Sequence, residues 1–225
     1  MLDPGHAGSN VKVTDKRSGL LDSESSQSPE KERVFRVAQT VQTLLGDSYE
    51  VYLTKKSATD NIIARPGENA QAVADKTGTG ILRARVDKAA EKRADLFVSI
   101  HTDEGQEPTF NDVYDIRKGL WRGAGSNKLS VDESDQPIVD MSLKCATAIA
   151  EARTKAQGRP TKLAVNTSFS ARGLSPGNIP LVMLWATKEK IPSVYNETGK
   201  KVDESAYARG IADGIRNCLP PLITP

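Results

Sequence analysis

The sequence predicts a single α/β domain, a twisted and mostly parallel sheet of about six strands with helices on both faces. Three observations carry that expectation. Short apolar runs alternate with amphipathic stretches along all 225 residues, the pattern of successive βαβ units. The run Asp95-Leu96-Phe97-Val98-Ser99-Ile100-His101 reads as a strand buried on both faces, which is how the centre of a parallel sheet looks. A composition of 37 % hydrophobic and 27 % charged residues suits one ordinary globular domain with a proper core.

Taken in order, Leu2-Asp3 is a strand stub closed by the Pro4-Gly5 turn and followed by His6. A buried strand ought to carry several apolar residues before Leu2. An upstream piece is therefore expected to be missing, and localisation cannot be read from the N-terminus. Residues 7 to 28 are rich in Ser, Gly, Asp and Lys without periodicity and are expected to form a long surface loop. Ser28-Pro29-Glu30 then reads as a helix start, with Ser28 as cap and Pro29 at the first helical position. Val34, Val37, Ala38, Val41, Leu44 and Leu45 give this helix one apolar face.

Residues 49 to 54, Tyr-Glu-Val-Tyr-Leu-Thr, alternate and predict the next strand. A polar loop containing Gly67, Gly78 and Gly80 leads to a helix from about Ile81 to Arg93, and then to the strand ending at His101. Residues 102 to 135 hold two acidic clusters, a strand near Val113–Ile116 and a Gly-rich run at 119–125 without phosphate-loop spacing. A helix is expected over Ile138–Arg153, strands over Leu181–Trp185 and Ile191–Tyr195, and a closing helix over Glu204–Cys218. Cys145 and Cys218 lie in helix-like segments, and the sequence leaves open whether they meet; a reduced buried pair is the default expectation, and no Cys-x-x-Cys spacing marks a zinc knuckle or redox motif.

The net charge of +2, with acids and bases interleaved as in Glu30-Lys31-Glu32-Arg33, argues against nucleic acid as a partner. No run of about 18 apolar residues exists to span a membrane, and no signal peptide is visible.

The chain has two histidines, and each follows the carboxyl end of a predicted strand. Ligands of open α/β sheets collect beyond such ends, so His6 and His101 are expected to face one crevice and hold a metal. Glu30 stands in the first turn of a helix, where a carboxylate also complements the helix dipole. Glu197, in Asn196-Glu197-Thr198-Gly199, follows the last predicted strand.

Four segments in this order resemble the zinc-dependent N-acetylmuramoyl-L-alanine amidases, which open with DPGHGG and carry a glutamate at the first helix, SIH at a strand end and ExG near the C-terminus. They are LDPGHAG (2–8), EKE (30–32), ADLFVSIH (94–101) and IPSVYNETG (191–199), and they span nearly the whole chain. Arg85 and Arg172-Gly173 are weaker matches. The resemblance implies one Zn²⁺ held by His6, Glu30 and His101, a ligand set of the kind that leaves a fourth position for water. Glu32 is the rival of Glu30. It further implies Glu197 as the catalytic carboxylate, and Arg85 and Arg172 as substrate contacts.

The implied reaction is hydrolysis of the amide between N-acetylmuramic acid and L-alanine of the peptidoglycan stem. Its implied setting is periplasmic or secreted, with peptidoglycan or a muropeptide as substrate and an activator protein as a further partner of a chain expected to be monomeric. Departures are Ala7 for the first glycine after the histidine, Thr102-Asp103 after SIH, and Lys200 after ExG. Residues 103 to about 180 look like an extended insertion. Its acidity suggests that Glu104, Glu107 or Asp112 occupies the open zinc position in a resting form. Two other functions stay open: a non-catalytic peptidoglycan-binding or regulatory domain on the same scaffold, and a zinc hydrolase of another amide or ester.

Overall fold

The strand expected to end at His101 forms as β4 (Phe97–Ile100), buried along its whole length, and the rest of the sheet is built outward from it. The computed structural model describes residues 1–6, 8–24, 26, 30–102, 111–116, 120–122, 128–165 and 178–221. Beside β4 lie β1 (Leu2–Pro4) and β9 (Ser193–Thr198), both parallel to it. Next to β9 runs β5 (Asn111–Asp115), antiparallel, and β8 (Lys162–Val165) pairs parallel to β5. The result is a mixed five-stranded sheet in the order β1-β4-β9-β5-β8. Outside it are two antiparallel ribbons, β2 (Val11–Thr14) with β3 (Leu21–Glu24) and β6 (Leu120–Arg122) with β7 (Lys128–Ser130).

Alternation along the strands sorts side chains to two faces. Leu2, Val98, Val194 and Val113 face α1 (Glu30–Leu45), α4 (Gln136–Gln157) and α6 (Glu204–Cys218). Phe97, Tyr195, Tyr114 and Ala164 face α3 (Ile81–Glu91) and α5 (Asn178–Lys188). Helices thus cover both faces, as expected. Val34, Val37, Val41 and Leu45 of α1 are at most 2 % exposed, and burying each is worth about 1.5–3 kcal/mol.

Helix ends are set by local chemistry. Asn69 accepts from the Ala72 amide at the start of α2 (Ala70–Thr77), and Asp203 does the same for Ala206 in α6. The cap of α3 comes from another element: Asp22 of β3 accepts from the amides of Leu82 and Arg83 at 3.3 and 2.9 Å. Burial pushes the Asp22 carboxyl up to about 6, against those two hydrogen bonds. Gly80 permits this approach, because a Cβ there would lie 2.1 Å from Asp22 Cγ.

Several expectations are corrected. Leu181–Trp185 is helical within α5, not a strand. All five residues are at most 4 % exposed, and a segment buried on every side shows no polar stripe to reveal its period. Residues 49–54 make only the single bridge of Leu53 to Leu2, with Leu2 N donating to the Tyr52 carbonyl and Thr54 N to that of Leu2. The loop expected over 7–28 contains the β2–β3 hairpin, whose turn is tied by Asp15 to the amides of Arg17 and Ser18. The inward residues of β3 are Asp22 and Glu24, so no apolar alternation announced it. Within the stretch read as an insertion, β5 and β8 are two of the five sheet strands and α4 packs along α6. Ser28 and Pro29 lie outside the described residues. Among the described residues, no helix is long and apolar enough to cross a membrane.

Cys145 of α4 and Cys218 of α6 are joined in a disulfide, with Cα atoms 5.0 Å apart, rather than reduced. The two helices meet closely because α6 offers glycines. A Cβ on Gly214 would fall 2.4 Å from Ile149 Cα.

Candidate active site

The carboxyl ends of β1, β4 and β9 converge on one place. His6 follows β1 with φ of 59°, the left-handed region that a non-glycine residue rarely adopts. What holds it there is a set of buried charges beneath the turn. Lys55 donates to the carbonyls of Gly5 and His6 at 2.9 and 2.8 Å, and Arg85 Nη2 donates to the His6 carbonyl at 2.5 Å. Arg85 also pairs with Glu24 at 3.1 Å and Asp3 at 3.5 Å, while Thr54 and Ser99 donate to the two Asp3 oxygens. Burial, with Arg85 adding to it, brings the Lys55 ammonium down to about 7.

Glu30, in the first turn of α1, places Oε2 at 2.5 Å from His6 Nε2. Glu30 is 5 % exposed, whereas Glu32 is exposed, so Glu30 and not its rival reaches the histidine. The His6 and His101 rings lie edge to face with centroids 5.0 Å apart. Gly5 lies against the His101 ring so tightly that a Cβ there would be 2.2 Å from Cε1. Burial, with His6 adjacent, holds His101 neutral by lowering its pKa well below the usual imidazole value.

On its other side His101 stacks on Tyr195, centroids 4.6 Å apart and planes 26° from parallel. The Tyr195 hydroxyl donates to Glu197 Oε2 at 2.8 Å. Glu30, His6, His101, Tyr195 and Glu197 therefore form one contiguous row. Across the antiparallel pair Glu197 is the register partner of Asp112, which accepts from Tyr114 at 2.8 Å. Asp112 is thus a buried residue of the central sheet, on the strand next to Glu197. Glu104, Glu107 and Arg172 lie outside the described residues. Arg85, expected at the substrate, is 1 % exposed and directs its guanidinium to Asp3, Glu24 and His6.

The donor set suits a metal. A neutral imidazole, a second imidazole and a carboxylate meet at the sheet edge, and His6 Nδ1 is buried without a hydrogen-bond partner. Among the described residues, no three His, Cys, Asp or Glu side chains are arranged to hold a metal ion as they stand.

Sequence reasoning missed Tyr195 and Arg153. The first carried a signal, since a residue two positions before Glu197 on a strand shares its face. The second carried one too, as a charge in register with Cys145 and Ile149 on the buried side of α4.

Comparison with known proteins bears on the fold and the family. No curated protein sequence matches the chain. In fold, it is similar to Ami1, the N-acetylmuramyl-L-alanine amidase of Mycobacterium smegmatis, at 17 % identity and TM-score 0.60 over 96 % of this chain and 93 % of that one. It is also similar to the catalytic domain of CwlV, N-acetylmuramoyl-L-alanine amidase from Bacillus (Paenibacillus) polymyxa var. colistinus, at 19 % identity and TM-score 0.53 over 95 % and 93 %. A third likeness is to the CwlD amidase of Clostridioides difficile, seen in complex with the GerS lipoprotein, at 17 % and 0.54 over 96 % and 94 %. The model of the family described as N-acetylmuramoyl-L-alanine amidase matches residues 1–217. The chain belongs to the N-acetylmuramoyl-L-alanine amidase family.

Proposed function

We propose that this family member is a zinc-dependent hydrolase of the amide joining N-acetylmuramic acid to L-alanine of the stem peptide, with His6, Glu30 and His101 as ligands and Glu197 as the catalytic carboxylate. One observation carries the proposal: side chains from three separate elements meet, Glu30 against His6 and His6 beside His101, with Glu197 one tyrosine away.

When bound, zinc supplies Lewis acidity toward water and the scissile carbonyl. Glu197 takes the proton from the attacking water and passes it to the departing alanine nitrogen. Tyr195 aims that carboxylate through its hydroxyl and braces His101 through its ring. Asp3, Arg85 and Lys55 hold the strained turn so that His6 presents its imidazole. Arg85 is in this reading a positioning residue beneath the site.

The substrate lies outside the cytoplasmic membrane, and the Cys145–Cys218 disulfide supports that setting, since such bonds persist in oxidising compartments. Periplasmic or secreted action is therefore part of the proposal. A protein partner is another, on the example of CwlD with GerS. The test is digestion of purified peptidoglycan by wild type and Glu197→Ala, with metal analysis of both. Release of free alanine amines by wild type, and its loss in a variant that still binds zinc, is the expected result. Equal release by both removes Glu197 from the mechanism.

A further inference from the structure

We infer that Arg153, a fully buried arginine of α4, is the positioning residue that fixes the strand end carrying Glu197. This rests on the reading of Glu197 as the proton-transferring group.

The side chain of Arg153 is 0 % exposed and lies on the helix face that otherwise buries Cys145 and Ile149. Burying a cation is costly unless its donors find acceptors; both Nη atoms do, while Nε has none. Nη1 donates to the Asp112 carbonyl at 2.8 Å and to Asn196 Oδ1 at 3.2 Å. Nη2 donates to the Glu197 carbonyl at 3.0 Å and to Asn111 Oδ1. Asp112 and Glu197 are register partners, so the planar fork staples the two antiparallel strands at the pair of carboxylates. The guanidinium carbon also sits 4.5 Å from the centre of the Tyr207 ring, and the Tyr207 hydroxyl donates to the His101 carbonyl at 3.1 Å. The contacts made by Arg153 itself thus fix the backbone of Glu197, while His101 is held by Tyr207, which keeps its own hydrogen bond. Gly210 makes room for the arginine, because a Cβ there would lie 2.6 Å from Arg153 Cα.

Lysine keeps the charge but has one nitrogen where the fork needs two. Misplacing a catalytic group by about 1 Å costs on the order of a hundredfold in rate. For Arg153→Lys in the full chain loaded with zinc, kcat on a soluble muropeptide is expected to fall by about ten- to a hundredfold, with KM and zinc stoichiometry unchanged. In a Glu197→Gln background, the same change is expected to leave the residual rate unaltered, because there is no carboxylate left to aim. Millimolar guanidinium is expected to restore part of the rate of Arg153→Ala, but none in Arg153→Ala/Glu197→Gln. That rescue, read with the melting temperature, separates aiming from mere folding. Full kcat in Arg153→Lys, an equal loss in both backgrounds, or absence of rescue in a folded Arg153→Ala overturns the inference. Failure of the reading beneath it looks different: Glu197→Gln alone would then keep the wild-type rate.

Discussion

Replacing Tyr195 by Phe removes one oxygen and leaves the ring. The lost contact is the 2.8 Å hydrogen bond to Glu197 Oε2, between residues 1 % and 8 % exposed. The stack on His101, 4.6 Å between centroids, is retained. A hydrogen bond to a charged group in such surroundings is worth about 1.5–3 kcal/mol. If that energy serves to aim the carboxylate in the transition state, kcat falls by about one to two decades, since each 1.36 kcal/mol is tenfold. The assay is release of alanine amines from a soluble muropeptide, with zinc content and melting temperature measured on the same preparation. An unchanged kcat would show that the Tyr195 hydroxyl does not aim Glu197. A fall that tracks loss of zinc would instead place the role of Tyr195 at His101 and not at Glu197.

Three further outcomes follow from the scaffold. Arg85→Met leaves Asp3 and Glu24 buried without their shared partner, so chemical denaturation should show a loss of about 3–5 kcal/mol, together with weaker zinc binding as the His6 turn relaxes. Cys145→Ser/Cys218→Ser opens a closure of 73 residues, worth about 4 kcal/mol by chain entropy; dithiothreitol should bring the wild-type melting point down to that of the double variant, and a melt insensitive to reductant would count against the disulfide. Asp22, raised to about 6 from 3.8 by burial, binds its proton more tightly when folded. Its contribution is thus full below the unfolded value and is lost as pH rises through 6, a fall of about 3 kcal/mol in unfolding free energy. Asp22→Asn should flatten stability between pH 4 and 6, and an unaltered slope would assign it to another group.

How much of this was legible beforehand depends on whether burial left a trace in the residue types. β4 was, because a strand covered on both faces is a short apolar run, and α1 was, because its apolar residues fall on one side. The histidines and Glu30 were placed by motif and by strand ends. α5 was not legible as a helix, since Leu181 to Trp185 are buried all round and show no period. The β2–β3 hairpin was hidden for the opposite reason: its inward positions are Asp22 and Glu24, charges that serve α3 and Arg85. Arg85 itself shows the limit of motif transfer. A sequence marks an arginine near the site but does not say whether it faces substrate or lies beneath the turn, which is a matter of tertiary packing. The pairing of Cys145 with Cys218 likewise depends on the approach of α4 to α6 that the glycines allow.

His6, Glu30 and His101 are proposed to share one zinc ion. A crystal structure of the zinc-loaded protein, with anomalous data at the zinc edge, tests it directly. The expected result is one ion bonded to both imidazoles and to the Glu30 carboxylate at about 2.0–2.2 Å, with the His6–Glu30 contact opened to admit it. Zinc bound elsewhere, or held at this place with Glu30 still hydrogen-bonded to His6, would contradict it.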